Sequence, residues 1–143
     1  MGRGLSLRKR AANDVYVFLD TFFLVFHTAF VLFNGTGWMW KRTRRLHLGT
    51  LLLTAGSWVG LGFWKGFGYC PCTDWHWQVR RRLGKGEGLP DSYMKFLADA
   101  LLGTDLPAAP VDAVTVAGFL VVLGLSLWLN VRDHRRCATR NAH

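Results

Sequence analysis

The sequence predicts an all-α integral membrane protein with three transmembrane helices and one or two short interfacial helices in its second loop. Three observations predict it. Apolar residues gather in blocks at about 14–39, 46–64 and 112–131, each near or above the roughly 20 residues that a spanning helix needs. Basic residues collect at the ends of those blocks, as Arg8-Lys9-Arg10, Lys41-Arg42-Thr43-Arg44-Arg45, Arg80-Arg81-Arg82 and the run from Arg132 to Arg136, where side chains of this kind meet lipid head groups. The blocks also lack the apolar–polar alternation of a barrel strand, and lipid cannot satisfy exposed backbone groups, so helices are the spanning elements. A soluble core would be built from shorter amphipathic segments.

Half of the 143 residues are hydrophobic and the net charge is +9. In a soluble chain that charge would point to nucleic acid. Here no recognition motif accompanies it, and the expected partner is the lipid bilayer, not nucleic acid. The first block does not read as a convincing cleavable leader, because it carries Asp20, runs past the usual apolar core and shows no small-residue cleavage site. The opening Met1-Gly2-Arg3-Gly4-Leu5-Ser6 fits an acylation pattern, which is read as chance in a chain that already spans. The whole chain, 1–143, reads as a single membrane domain without internal repeats.

The first span holds the most informative residues. Asp20, His27 and Asn34 are set about two helical turns apart, so they share one stripe of one helix. Ionisable groups at membrane depth are costly and face a partner helix, a cavity or a path. A proton relay or a ligand role for His27 is one reading. The other is interhelical hydrogen bonding to His47, Thr50, Thr54 and Ser57 of the second span, at about 0.6–2 kcal/mol per bond. A single haem between His27 and His47 is disfavoured, because His47 sits at the loop-one surface and His27 roughly 18 Å below it at about 1.5 Å per residue.

The second span contains Gly56-Ser57-Trp58-Val59-Gly60. Gly56 and Gly60 form the small-xxx-small pattern that lets helix backbones approach, and Gly118 and Gly124 of the third span could act likewise. Helix packing or a homo-oligomer is the expectation.

The second loop, about 65–111, is the only segment long enough to hold structure outside the bilayer. Its first part is aromatic, with Phe67, Tyr69, Trp75 and Trp77, residues that favour the interface. It also carries Cys70-Pro71-Cys72-Thr73-Asp74-Trp75-His76. Cys70, Cys72, Asp74 and His76 could bind a soft or borderline metal or do redox chemistry, although the spacing matches no standard zinc pattern. A short Cys70–Cys72 disulfide is a further reading. The plainer one is a turn in which Thr73 or Asp74 caps a short helix. After Gly84 to Gly88, a second helix is predicted, opened by Pro90 and Asp91-Ser92, closed by Gly103, with Tyr93, Phe96, Leu97, Ala100 and Leu101 on one face.

Sidedness follows from short basic loops near span ends. Loop one is little more than Lys41 to Arg45, and the C-tail starts at Arg132, so both are placed in the cytoplasm. No nucleophile motif, phosphate loop or dinucleotide fingerprint is present, and no cofactor is expected.

The combination of Phe26-His27, Asn34, Arg45-Leu46-His47, Trp58, Gly68-Tyr69-Cys70-Pro71 and Trp75 resembles the small bacterial inner-membrane proteins catalogued as domain of unknown function 2784. The resemblance covers about 14–131. It implies a bacterial inner membrane and a helical bundle, and it carries no activity to transfer. The expectation is a non-enzymatic accessory subunit of a larger membrane complex or a self-associating bundle. The alternative is a redox, haem or metal-handling protein using His27 and the Cys70/Cys72/His76 loop.

Overall fold

The computed structural model describes residues 2–65 and 68–140. Phe67 and the side chains of Arg8, Lys9 and Cys137 lie outside the described residues. Helix α1 runs over Gly2–Thr36 and a 3-10 turn over Gly37–Met39 ends it. Helix α2, Arg44–Gly56, continues through a π-helical stretch, Ser57–Leu61, into α3, Gly62–Lys65. Two shorter helices follow, α4 over Pro71–Arg82 and α5 over Tyr93–Leu102, and α6 closes the chain over Ala108–Arg140.

Three of these segments are long and apolar enough to cross a membrane: Arg10–Met39, Arg44–Lys65 and Ala108–Arg136. They contain the predicted spans and extend them at their ends. Most of each span faces outward, and large apolar side chains such as Phe18, Phe22, Val25, Leu53, Phe63, Val121 and Trp128 are exposed. In water that surface would be a liability, whereas in lipid it costs nothing.

The sharp turn between α1 and α2 needs a glycine. Gly37 is buried, and a Cβ there would lie 2.7 Å from Cδ2 of the His47 ring. Thr43 Oγ1 donates to the Gly37 carbonyl at 2.7 Å and ties the turn to the start of α2.

The second loop forms two short helices, as expected, and packs against α1. Cys70 and Tyr93 lie against His27, near the middle of the first span, while His76 and Lys85 lie against Asp20, about two turns nearer its N-terminal end. Helix α4 therefore starts at mid-bundle and runs outward antiparallel to α1. Helix α5 also starts beside His27 and runs the same way, since Phe96 meets Arg80 and Trp77. The loop re-enters the bundle because Asp20 and His27 need partners at their own depth, and unpaired polar groups there cost several kcal/mol. Irregular backbone at that depth is tolerated only where protein covers it.

The caps also refine the expectation. Cys70 is the N-cap of α4 and Pro71 takes the first helical position, so Thr73 and Asp74 lie inside the first turn and are not caps. Ser92 caps α5 through the Lys95 N–H, and Gly103 ends it in the left-handed conformation. Beyond it, Lys95 bridges Asp99 at 2.6 Å and reaches Asp105, while Asp99 also accepts the Leu106 N–H. Asp105 and Asp99 raise the Lys95 ammonium above its ordinary range. Lys95 and the Leu106 N–H lower the Asp99 carboxyl.

Gly56 and Gly60 are exposed, and a Cβ at either would touch nothing within 4 Å. The same holds for Gly118 and Gly124. The pattern therefore does not pack helices inside this chain. The second and third spans meet instead through larger groups, as where Trp58 and Phe119 lie 4.8 Å apart.

Candidate functional site

The stripe on α1 organises three polar clusters, each at a different level. The expected partners from the second span serve only one of them. Asn34 accepts a hydrogen bond from Thr50 Oγ1 at 2.8 Å and donates to Thr54 Oγ1 at 3.3 Å. Its backbone carbonyl accepts from His47 Nε2 at 2.9 Å. That leaves His47 Nδ1 to accept from Ser126 Oγ of α6 at 3.0 Å. His47 and Ser126 are both completely buried. Just above this knot, Arg44 bridges Asp133 of α6 at 2.6 Å and donates through Nε to the Trp38 carbonyl. Asn130 donates to the Arg44 carbonyl at 3.2 Å. All three spans are thus tied together at the loop-one end. With both ring nitrogens used, His47 has none left for a haem or a metal.

Ser57 does not reach the stripe. It donates to the Tyr69 carbonyl at 2.9 Å, anchoring the re-entrant loop to the start of the π-helical stretch. That stretch widens one turn of the helix where the loop comes in.

The second cluster surrounds Asp20. His76 Nε2 donates to Asp20 Oδ1 at 2.8 Å, and Arg80 and Lys85 approach the same carboxylate at 3.6 and 3.4 Å. The spacing of His76 and Arg80 on α4 puts both on the face that meets α1. His76 is completely buried, and its Nδ1 has no partner. An anionic side chain inside an apolar span is thereby matched by cations from a segment more than fifty positions further along the chain.

The third cluster is built on His27, which is 5 % exposed. The Tyr93 ring stacks on the imidazole at 3.8 Å between centroids and 11° between planes. Tyr93 is itself fixed: its hydroxyl donates to the Leu24 carbonyl at 3.1 Å and therefore accepts from Thr28 Oγ1 at 3.0 Å. On the imidazole edge, Nε2 lies 4.0 Å from Cys70 Sγ, and Nδ1 has no hydrogen-bond partner.

The four residues of the expected metal or redox loop separate. Cys70 faces His27, and His76 is held by Asp20. Asp74 accepts from the Tyr69 hydroxyl and from Gln78. Among the described residues, no three His, Cys, Asp or Glu side chains gather as a metal-holding group. Cys70 and Cys72 are both free thiols and half-buried. Trp75 stays exposed, whereas Trp77 turns inward and donates to the Pro90 carbonyl at 2.7 Å.

Sequence reasoning missed Tyr93, Arg80, Lys85, Ser126 and the Arg44–Asp133 bridge as partners of the bundle's polar groups. The signal available was weak. Tyr93 stood on the predicted apolar face of its helix, and the arginines read as interfacial anchors.

The chain belongs to the family described as Protein of Unknown function (DUF2784), whose model matches residues 17–131. No curated protein and no solved structure matches it.

Proposed function

We propose that this chain is a non-enzymatic protein of the bacterial inner membrane, acting as an accessory subunit of a larger membrane complex or as a self-associating bundle. One observation supports this best: Asp20, His27 and Asn34 each face other residues of the chain, so most of what faces outward from the spans is apolar or small. A bundle of that kind offers its lipid-facing surface for association. Gly56 and Gly60 lie open on that surface, and small residues at this spacing let a second helix approach closely. Loop one and the C-tail are placed in the cytoplasm, with the α4–α5 side opposite, on the weight of short basic segments next to the spans.

Association is tested by purifying the tagged chain in mild detergent and measuring its mass by light scattering. A stoichiometric partner or a defined oligomer, weakened by Gly56→Leu with Gly60→Leu, is expected. A monodisperse monomer that brings down nothing overturns the proposal. Sidedness is tested in a background with Cys70, Cys72 and Cys137 changed to Ser, using Arg42→Cys and Glu87→Cys. An impermeant thiol reagent applied to intact cells should label the second and spare the first.

The alternative, metal or redox handling, is favoured by the contact between His27 and Cys70. It predicts chemistry that depends on both residues.

A further inference from the structure

Beside His27, a buried donor with capacity to spare is faced by a second donor of matching softness. We propose that Cys70 Sγ and His27 Nε2 form a two-donor site for a soft monovalent metal ion of the Cu(I) type. This rests on the metal-handling alternative above.

The geometry fits such an ion. The two atoms are 4.0 Å apart, the span of a sulfur bond and a nitrogen bond of about 2 Å each laid nearly end to end. Soft ions select thiolate donors and accept few of them, whereas zinc demands four in a tetrahedron. The neighbouring candidates do not complete a tetrahedron: among the described residues no three His, Cys, Asp or Glu side chains gather as a metal-holding group.

The imidazole is prepared for this role. Tyr93 fixes its plane, it is 5 % exposed, Nδ1 has no hydrogen-bond partner, and Nε2 meets the Cys70 sulfur itself. A proton on Nδ1 leaves the Nε2 lone pair directed at the sulfur. Cys70 is half-buried, so the site can be entered, and the adjacent Cys72 thiol offers a transient donor on the way in. Cys70 is the N-cap of α4, so the backbone fixes where its sulfur stands.

Charge balance favours a monovalent ion. The Cys70 thiol gives its proton to solvent, a metal–sulfur and a metal–nitrogen bond form, and no atom is oxidised or reduced. Thiolate plus Cu(I) is neutral, so the occupied site carries no net charge at mid-bundle. A divalent ion on the same donors would leave a positive charge there, which apolar surroundings penalise.

The test uses the full chain in detergent, reduced and free of oxygen, titrated against Cu(I) held by a chromophoric bicinchoninate chelate. A single equivalent should pass to the protein. Cys70→Ser and His27→Gln should each weaken the transfer by about 10–100-fold or more, and Cys72→Ser should keep it. Zn(II) should not bind under the same conditions. A wild-type chain that takes no copper overturns the site, as does His27→Gln binding like the wild type or Cys72→Ser abolishing uptake. If His27→Gln fails to fold, X-ray absorption of the loaded wild type decides: one sulfur with one nitrogen supports the site, and two sulfurs overturn it. A chain that takes no copper but still oxidises reversibly at Cys70 overturns the metal site while leaving the redox alternative in place.

Discussion

The two ends of the polar stripe treat histidine differently. At the loop-one end, His47 is wholly buried and both ring nitrogens are bonded, one to a backbone carbonyl and one to Ser126. Toward the other end, His27 and His76 are also buried, yet each leaves Nδ1 without a partner. A fully satisfied buried imidazole is a structural joint, and its removal exposes unmet polar groups on both sides. An unsatisfied one is a standing cost in the folded chain, of the kind found where a group is kept for a ligand or for chemistry. The contrast separates a clamp that holds three spans together from a middle section held in readiness.

The largest effect is expected at the clamp. His47→Leu should destabilise the bundle by about 2–4 kcal/mol, because Ser126 and the Asn34 carbonyl lose their partner. Thermal unfolding in detergent, followed by circular dichroism, would measure it, and a loss under 1 kcal/mol would break the comparison. Asp20→Asn comes next, at about 2–3 kcal/mol, since it leaves His76, Arg80 and Lys85 facing one another without the charge that gathers them. The change should be read as protease sensitivity in α4 before the spans unfold.

Gly37→Ala is expected to cost about 1–3 kcal/mol by overpacking, because the new methyl would press on the His47 ring. Combined with His47→Leu its cost should shift by more than experimental error; strict additivity would show that the two do not share the clamp. His27→Leu should cost only about 1 kcal/mol, chiefly the lost stacking with Tyr93. If it matched His47→Leu, the middle section would be a clamp as well.

The smallest effect is electrostatic and lies outside the spans. Asp99 is lowered in the folded chain, so its contribution is present above the ordinary carboxylate range and is lost as the pH falls through its folded value. Lys95 is raised, so its share is present below the ordinary lysine range and is lost as the pH rises through its folded value. Hydrogen-exchange protection in the turn between α5 and α6, taken relative to the intrinsic rate at each pH, should fall at both extremes while the loop-one clamp stays protected.

Much of the architecture was legible because bilayer thickness constrains composition directly. A run such as 112–131 has to be long and apolar whatever it packs against, and Ser92 and Gly103 mark α5 through local capping chemistry alone. The role of Asn34 was legible for a similar reason: one helix rise carries Thr50 and Thr54 to its level. The partners of Asp20 and His27 were not. His76 and Tyr93 lie 56 and 66 positions away in sequence, and nothing local in Cys70-Pro71 marks the start of a helix at mid-bundle.

The sequence by itself therefore determined that three helices are long and apolar enough to cross a bilayer, and that one stripe of the first faces inward, because hydropathy, charge placement and helical period act locally along the chain. Only the tertiary structure decided that the second loop folds back to meet that stripe, that the glycine pair of the second span faces outward, and that a thiol stands beside His27. Those outcomes depend on which polar group reaches which partner at equal depth, and the cost of leaving such groups unpaired in an apolar surrounding is set by the assembled bundle.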